Sequence, residues 1–218
     1  MMHIQLKKFI FNPLKVNTYL LWNQAGHCIV IDPGCHNVAE QRALSAFIKA
    51  LNIKPMAILL THGHMDHIAG TRYVSNTYEI DIYIHEKEEI NQSKNEYDAH
   101  LHKVNLDGSD LSAAKKFSGG QEVSFGGISL NIIHTPGHTM GSVCFFEPSR
   151  HWLFAGDTLT KGNLGFSHDG YLQLMQTLKQ EVLSLPEDTV FYFGHGPDSS
   201  MTKEKANNAF FQRMMKGP

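Results

Sequence analysis

The sequence predicts an α+β protein built as a four-layer αββα sandwich, two β-sheets face to face with helices on both outer surfaces. Three observations carry this expectation. Strand-like segments gather in two halves of the chain, helix-like segments follow each half, and the second half repeats the order of the first.

The first half opens with residues 4–11, 16–22 and 27–31, which are rich in β-branched, aromatic and apolar side chains. Asn12-Pro13 and Asn23-Gln24-Ala25-Gly26 separate them with turn chemistry, so they read as a β-meander. After Asp32-Pro33-Gly34 the period changes. Leu44, Phe47, Ile48 and Leu51 share one helical face, predicting an amphipathic helix over 38–51, and Pro55 closes the connection. Residues 56–60 form a short apolar run suited to a buried strand, which delivers the chain into Thr61-His62-Gly63-His64-Met65-Asp66-His67. A helix over 68–78, a strand over 80–85 and a short helix over 86–91 follow. From 92 to 118 the pattern dissolves into charged and small residues, which predicts a surface excursion or lid.

Strands resume at 121–125, 128–134, 142–147 and 152–155, the first two joined by the hairpin signal Gly126-Gly127. Leu172, Met175, Leu178 and Val182 mark another one-sided helix, 190–193 another buried strand, and 202–214 a closing helix. Thr202 with Lys205 is no capping box, so that last helix has a soft start.

With 218 residues and 42% hydrophobic content, the chain can bury the core of a single domain over 1–218. No stretch approaches the roughly 18 apolar residues of a membrane span, and the first residues lack the apolar block of a signal peptide, so a cytoplasmic protein is expected. Cys28, Cys35 and Cys144 are odd in number and scattered, which argues against a disulfide framework. The net charge of −2, with Lys and Arg dispersed, speaks against nucleic acid as a partner and leaves a small-molecule substrate. Oligomeric state is left open.

Histidine is the unusual residue, 14 against 19 Lys plus Arg. In a turning segment residues two apart point the same way, so His62 and His64 can present two imidazoles to one ion, while Asp66 and His67 face the other side of the loop. His138 after a Pro-Gly turn, Asp157 directly after an apolar strand and His195 between two glycines repeat the pattern at three further strand ends. Taken singly these last three pass as hydrogen-bonded or capping residues; their shared placement makes them a set. Imidazole with carboxylate suits zinc, iron or manganese, and the lack of clustered thiolates argues against a closed structural zinc site. His85 and His134 read as structural, His36 and His168 as residues near the rim, and Cys35 as a small buried residue.

The H-x-H-x-D-H motif at 62–67, the ordered His138, Asp157 and His195, and the Asp32-Pro33-Gly34 turn resemble the metallo-β-lactamase superfamily over nearly the whole chain. Within it the chain is most similar to the short glyoxalase II-like (hydroxyacylglutathione hydrolase-like) enzymes that lack a separate glutathione-binding domain. The resemblance implies two divalent metal ions, zinc foremost with iron or manganese as alternatives. His62, His64 and His138 would hold one, Asp66, His67 and His195 the other, and Asp157 would bridge them. It implies cleavage of a small thioester by metal-bound hydroxide, the water pKa falling from about 15.7 toward about 7. Asp66 would guide the proton, and Asp32 and Thr139 would orient imidazoles through their non-ligating nitrogens.

Competing readings on the same scaffold are a lactone or phosphodiester hydrolase and a mononuclear iron persulfide dioxygenase. A metal-stabilised binding module without turnover would not need all seven ligand types. The chain departs from the pattern at Gly165-Phe166-Ser167-His168-Asp169, where the family's glycine is followed by Arg or Lys that contacts an anionic substrate. Lys161, Phe166 and His168 are the remaining substrate-side residues.

Overall fold

The computed structural model describes residues 3–106, 111–166 and 170–216. Three strands open the chain, β1 (Gln5–Phe11), β2 (Val16–Trp22) and β3 (His27–Ile31), and helix α1 (Val38–Ala50) leads to β4 (Lys54–Leu59). The short helices α2 (Met65–Ile68) and α3 (Thr71–Tyr78) precede β5 (Ile82–His85), and α4 (Gln92–His102) precedes β6 (Lys115–Phe117). These six strands form one sheet in chain order, antiparallel through β3 and parallel beyond it.

The second sheet takes β7 (Glu122–Phe125), β8 (Ile128–His134), β9 (Val143–Glu147), β10 (Trp152–Gly156), β13 (Val190–Phe193) and β14 (Ser199–Ser200), in the order β14-β13-β10-β9-β8-β7. A separate hairpin pairs β11 (Leu159–Thr160) with β12 (Asn163–Leu164). Helix α5 (Tyr171–Thr177) runs into a π-helical turn at Leu178–Val182, and α6 (Met201–Asn207) and α7 (Ala209–Met215) close the chain.

Strand alternation sorts the core into layers. In the first sheet Leu20, Cys28, Val30 and Ile58 pack with Leu44 and Ile48 of α1 and Val74 of α3. Their neighbours Leu21, Ile29, Ile31, Ala57 and Leu59 face the other sheet, meeting Ile128, Leu130, Val143, Phe145 and Phe154. On the far side of the second sheet Cys144, Phe146, Leu153 and Ala155 pack with Leu174, Leu178 and Phe211. The predicted αββα sandwich is what the chain forms.

Several boundaries differ from the sequence expectation, each for a local reason. Pro55 lies inside β4, tolerated because the pairing with β3 bulges there: Cys28 opposes Pro55 and Ile29 opposes Ala57. The helix expected over 68–78 is split at Gly70, where the Pro33-Gly34-Cys35 turn presses in; a Cβ on Gly70 would stand 2.4 Å from Cys35 Sγ. Residues 86–91 form no helix. Glu88 is instead drawn into the interior, and the helix begins only after Asn91, whose side chain accepts from the Lys94 N–H. In the expected 92–118 excursion, of which residues 107–110 lie outside the described residues, α4 packs on α2 through Met65, Ala69 and Ala99, and β6 extends the first sheet. The closing helix breaks at Asn208, whose side chain caps α7, while Ser200 caps α6. Among the described residues no helix is long and apolar enough to cross a membrane.

Candidate metal centre

Seven side chains converge where strand ends of the two sheets meet. His62 and His64 follow β4, Asp66 and His67 lie in α2, His138 follows β8, Asp157 follows β10, and His195 follows β13. The last loop is tied across the sandwich: the Asn17 N–H donates to Gly194 O at 2.7 Å, and Asn17 Nδ2 donates to Phe193 O and Gly196 O.

The converging atoms form overlapping groups. His62 Nε2 and His138 Nε2 approach His64 Nδ1 to 3.1 and 2.9 Å. Asp66 Oδ2 lies 3.1 Å from His195 Nε2 and 3.7 Å from His67 Nε2. Asp157 stands between, with Oδ1 3.3 Å from His67 Nε2 and Oδ2 3.5 Å from His195 Nε2 and 3.7 Å from His138 Nε2. Two triads, His62/His64/His138 and Asp66/His67/His195, and a third, His62/His67/Asp157, each bring their ligand atoms within 4.8 Å of one another.

Four rings are held in one tautomer by partners that can only accept. His138 Nδ1 donates to Phe166 O at 2.8 Å, His195 Nδ1 to Leu14 O at 3.0 Å, and His67 Nδ1 to Asp32 Oδ2 at 2.9 Å. The Thr61 hydroxyl donates to Asp32 Oδ2 at 2.6 Å, so its lone pair receives His62 Nδ1–H at 3.1 Å. In the neutral form of each of these rings Nε2 is therefore the atom left with a lone pair, and in all four it faces the centre. Asp32, the acceptor of His67 Nδ1, is itself buried with φ 49° and fixed by the Thr61 N–H at 2.8 Å. At Gly194 the backbone comes so close that a Cβ would sit 2.0 Å from Asp157 Oδ1.

Charge divides the groups. Burial, then the neighbouring His67 and His64, hold His62 well below its ordinary range, and burial with His138 brings His64 to about 4. His138 is also lowered, its burial outweighing the pull of Asp157. Burial would lower His67 too, but Asp157, Asp66 and Asp32 together raise it well above the usual value. Burial would raise Asp66 and Asp157, yet His67 and the other imidazoles hold both below the ordinary carboxylate range.

The residues fit a cation pair. His67 Nε2 and Asp157 Oδ1 are buried and neither has a hydrogen-bond partner, since their 3.3 Å approach is poorly aligned for one. With Nδ1–H given to Asp32, the His67 ring that has shed its second proton and the carboxylate beside it would offer lone pairs to the same point, which suits a divalent ion bound by nitrogen and oxygen. Beside the ligands opens a cavity of about 430 Å³, walled by Leu14 and by Lys94, Asn95, Asp98 and His102 of α4.

Comparison with known proteins agrees with this arrangement. The family model of the metallo-β-lactamase superfamily matches residues 11–195. The chain belongs to that superfamily. Its members bind divalent metals, and the histidine and aspartate groups above are where this one can do so. The chain is 31% identical over 210 residues to the probable metallo-hydrolase YqgX of Bacillus subtilis, covering 91% of this chain and 93% of that one. It is 29% identical over 199 residues to the hydroxyacylglutathione hydrolase GloC of Haemophilus influenzae, covering 89% and 92%. The crystal structure of TTHA1623 in a di-iron-bound form superposes with a TM-score of 0.79 at 28% identity, covering 94% of this chain and 99% of that one.

Other sequence expectations land differently. Thr139 does not orient an imidazole: its hydroxyl donates to Glu88 Oε2 at 2.6 Å and lies 2.8 Å from Ser142 Oγ. Lys161 sits exposed in the turn between β11 and β12, away from the cavity lining. Phe166 contributes its carbonyl to His138, with its side chain 70% exposed, and His168 lies outside the described residues. His85 and His134 stack at 4.1 Å, with His134 Nε2 donating to Met140 O. Sequence reading missed Thr61, Glu88 and Asn95. Glu88 follows a strand end like the ligands do, which was the available signal; the Leu14 and Phe166 carbonyls leave none.

Proposed function

We propose that this chain is a dinuclear metal-dependent hydrolase of small thioesters of the hydroxyacylglutathione type. The observation that carries the reading is the position of Asp157, whose two carboxylate oxygens reach toward ligands of both triads. A carboxylate reaching both triads is placed to be shared by two cations, whereas in a single-iron site it would serve as the one carboxylate beside two histidines. His62 Nε2, His64 Nδ1 and His138 Nε2 would hold one cation, and Asp66 Oδ2, His67 Nε2 and His195 Nε2 the other. A cation pair held there would supply Lewis acidity, which lowers the pKa of a bound water toward neutral and polarises an acyl carbonyl. The Asp66 carboxylate lines the cavity, and its role as a ligand comes first, with guiding a proton through its other oxygen secondary to that. The carbonyls of Leu14 and Phe166 and the Asp32–Thr61 pair hold the rings in the ligating tautomer, so little reorganisation accompanies the reaction.

The thioester assignment is supported by likeness to hydroxyacylglutathione hydrolases and by a cavity suited to a small substrate. The deciding experiment loads the protein with Zn(II) and follows thiol release from S-lactoylglutathione beside a lactone, a phosphodiester and a β-lactam. A His64→Ala variant serves as control. Thiol release about 100-fold or more above the control is expected. Turnover of another class without thiol release, or equal inactivity of both proteins, overturns the assignment. One iron per chain with oxygen consumption identifies a dioxygenase instead.

A further inference from the structure

Glu88 is 6% exposed, in a turn where the four residues after His85 all carry charged side chains and the His85 imidazole accepts the Lys87 N–H. Its carboxylate is fully employed. Oε1 accepts the Gly63 N–H at 2.8 Å, Oε2 accepts the Thr139 hydroxyl at 2.6 Å, and the Gly141 amide also bonds it. Gly63 lies between His62 and His64, and Thr139 directly follows His138. One carboxylate thus joins the two loops that carry the His62/His64/His138 triad.

Shape reinforces the bonding. A Cβ on Gly141 would fall 2.4 Å from the Glu88 backbone, and one on Gly63 would fall 2.1 Å from Ile90 Cδ1 and 3.1 Å from Glu88 Oε1. Both loops therefore close onto the 86–91 turn only because they carry glycine at these points. The opposite face of the Gly63 peptide is held as well, its carbonyl accepting from Asn95 Nδ2 of α4 at 2.9 Å. The Asp66/His67/His195 triad has a separate support in Asp32, whereas the Glu88 carboxylate bonds Gly63, Thr139 and Gly141.

We infer that Glu88 is a positioning residue that sets the spacing of the His62/His64 loop against the His138 loop, and so governs one of the two cation sites selectively. The inference rests on the dinuclear reading but not on the thioester substrate. Gln in this place keeps one acceptor and turns its NH2 toward at least one backbone N–H, that of Gly63 or Gly141, which cannot accept it even if the Thr139 hydroxyl turns to do so, and the loops separate there. Metal-binding partners of this kind are worth about 10- to 100-fold in affinity.

The test titrates the metal-free full-length protein with Zn(II) by calorimetry and with Co(II) by visible absorption, comparing wild type, Glu88→Gln and Glu204→Gln. Glu204 is an equally buried carboxylate with several hydrogen bonds, remote from the centre, and controls for a general loss of stability. The expected result is two equivalents in wild type and Glu204→Gln, and in Glu88→Gln a loss of about 10-fold or more for one equivalent with the other within about threefold. Unchanged affinities, or equal weakening of both sites, overturn the inference. If Glu88→Gln does not fold, Thr139→Val carries the test, with Thr139→Ser expected to restore binding; a Thr139→Val protein equal to wild type overturns it. Two-cation binding without thiol release in wild type refutes the substrate assignment alone, and a wild type that binds fewer than two cations refutes both.

Discussion

Replacing Asp32 by Asn would change the character of one ring without altering the volume of the core. Asp32 is 2% exposed and accepts three hydrogen bonds, from the Thr61 N–H at 2.8 Å, the Thr61 hydroxyl at 2.6 Å and His67 Nδ1 at 2.9 Å. Asn can keep the first through its carbonyl and can donate to the Thr61 oxygen, but it turns an NH2 toward His67. The ring must then accept at Nδ1 and carry its proton on Nε2, the atom aimed at Asp157 Oδ1. Binding a cation there requires that proton to leave. Affinity at the Asp66/His67/His195 triad should fall about 10- to 100-fold, or about 1.4 to 2.7 kcal/mol. The His62/His64/His138 triad should hold its affinity within about threefold, because Asp32 reaches it only through Thr61. Loss of a charge-assisted hydrogen bond should also cost the metal-free protein about 1.5–3 kcal/mol. Stepwise Zn(II) titration with denaturant unfolding of the metal-free form measures both. Wild-type affinity at both sites, or a loss confined to the other triad, would refute the reasoning.

Gly194→Ala should be far more damaging than an ordinary Gly→Ala change, since its Cβ would stand 2.0 Å from Asp157 Oδ1 and 2.7 Å from His67 Cε1; overpacking of about 1–3 kcal/mol and loss of cation binding are expected, checked by thermal melting and metal content. Phe145→Ala, which empties a fully buried position between the sheets, should cost about 3–5 kcal/mol in a denaturant titration while leaving the ligand set intact. In the metal-free protein His64 should stay neutral down to a pH of about 4, read from its ring resonances by NMR; titration near 6.5 would contradict the burial argument. The sign follows from linkage: between 6.5 and about 4 the unfolded chain binds a proton at this position that the folded chain does not, so acidification through that window removes stability. His67 and His195, raised by their carboxylates, contribute in the opposite sense at higher pH.

The strands were readable because each lies in a two-sided core, where alternation assigns one set of side chains to the helices and the next to the facing sheet, as Leu20 and Leu21 illustrate. The converging histidines and aspartates were readable as a set because they are titratable residues placed after such strands. What escaped was set by tertiary partners. The 86–91 turn has helix-forming composition, yet Glu88 is worth more as a buried acceptor for three donors than as a solvated helical residue. Helix breaks at Gly70 and Asn208 follow from a turn pressing in from 32–35 and from a side chain capping its own successor. Thr139 was rightly marked as close to the centre, but its bonding partner lay on a segment with no pattern to connect them.

Each triad draws on both halves of the sandwich: His62 and His64 with His138, and Asp66 and His67 with His195. Ions seated there would act as rivets through the seam at one end of the molecule. The halves could not splay at that end without releasing the ions, so metal occupancy and closure of the seam become a single equilibrium. A hundredfold excess of free ion over the dissociation constant would then add about 2.7 kcal/mol per site to resistance against unfolding. Chelation should accordingly expose the Leu14 and Gly194 loops to proteolysis before the opposite end of the sheets loosens.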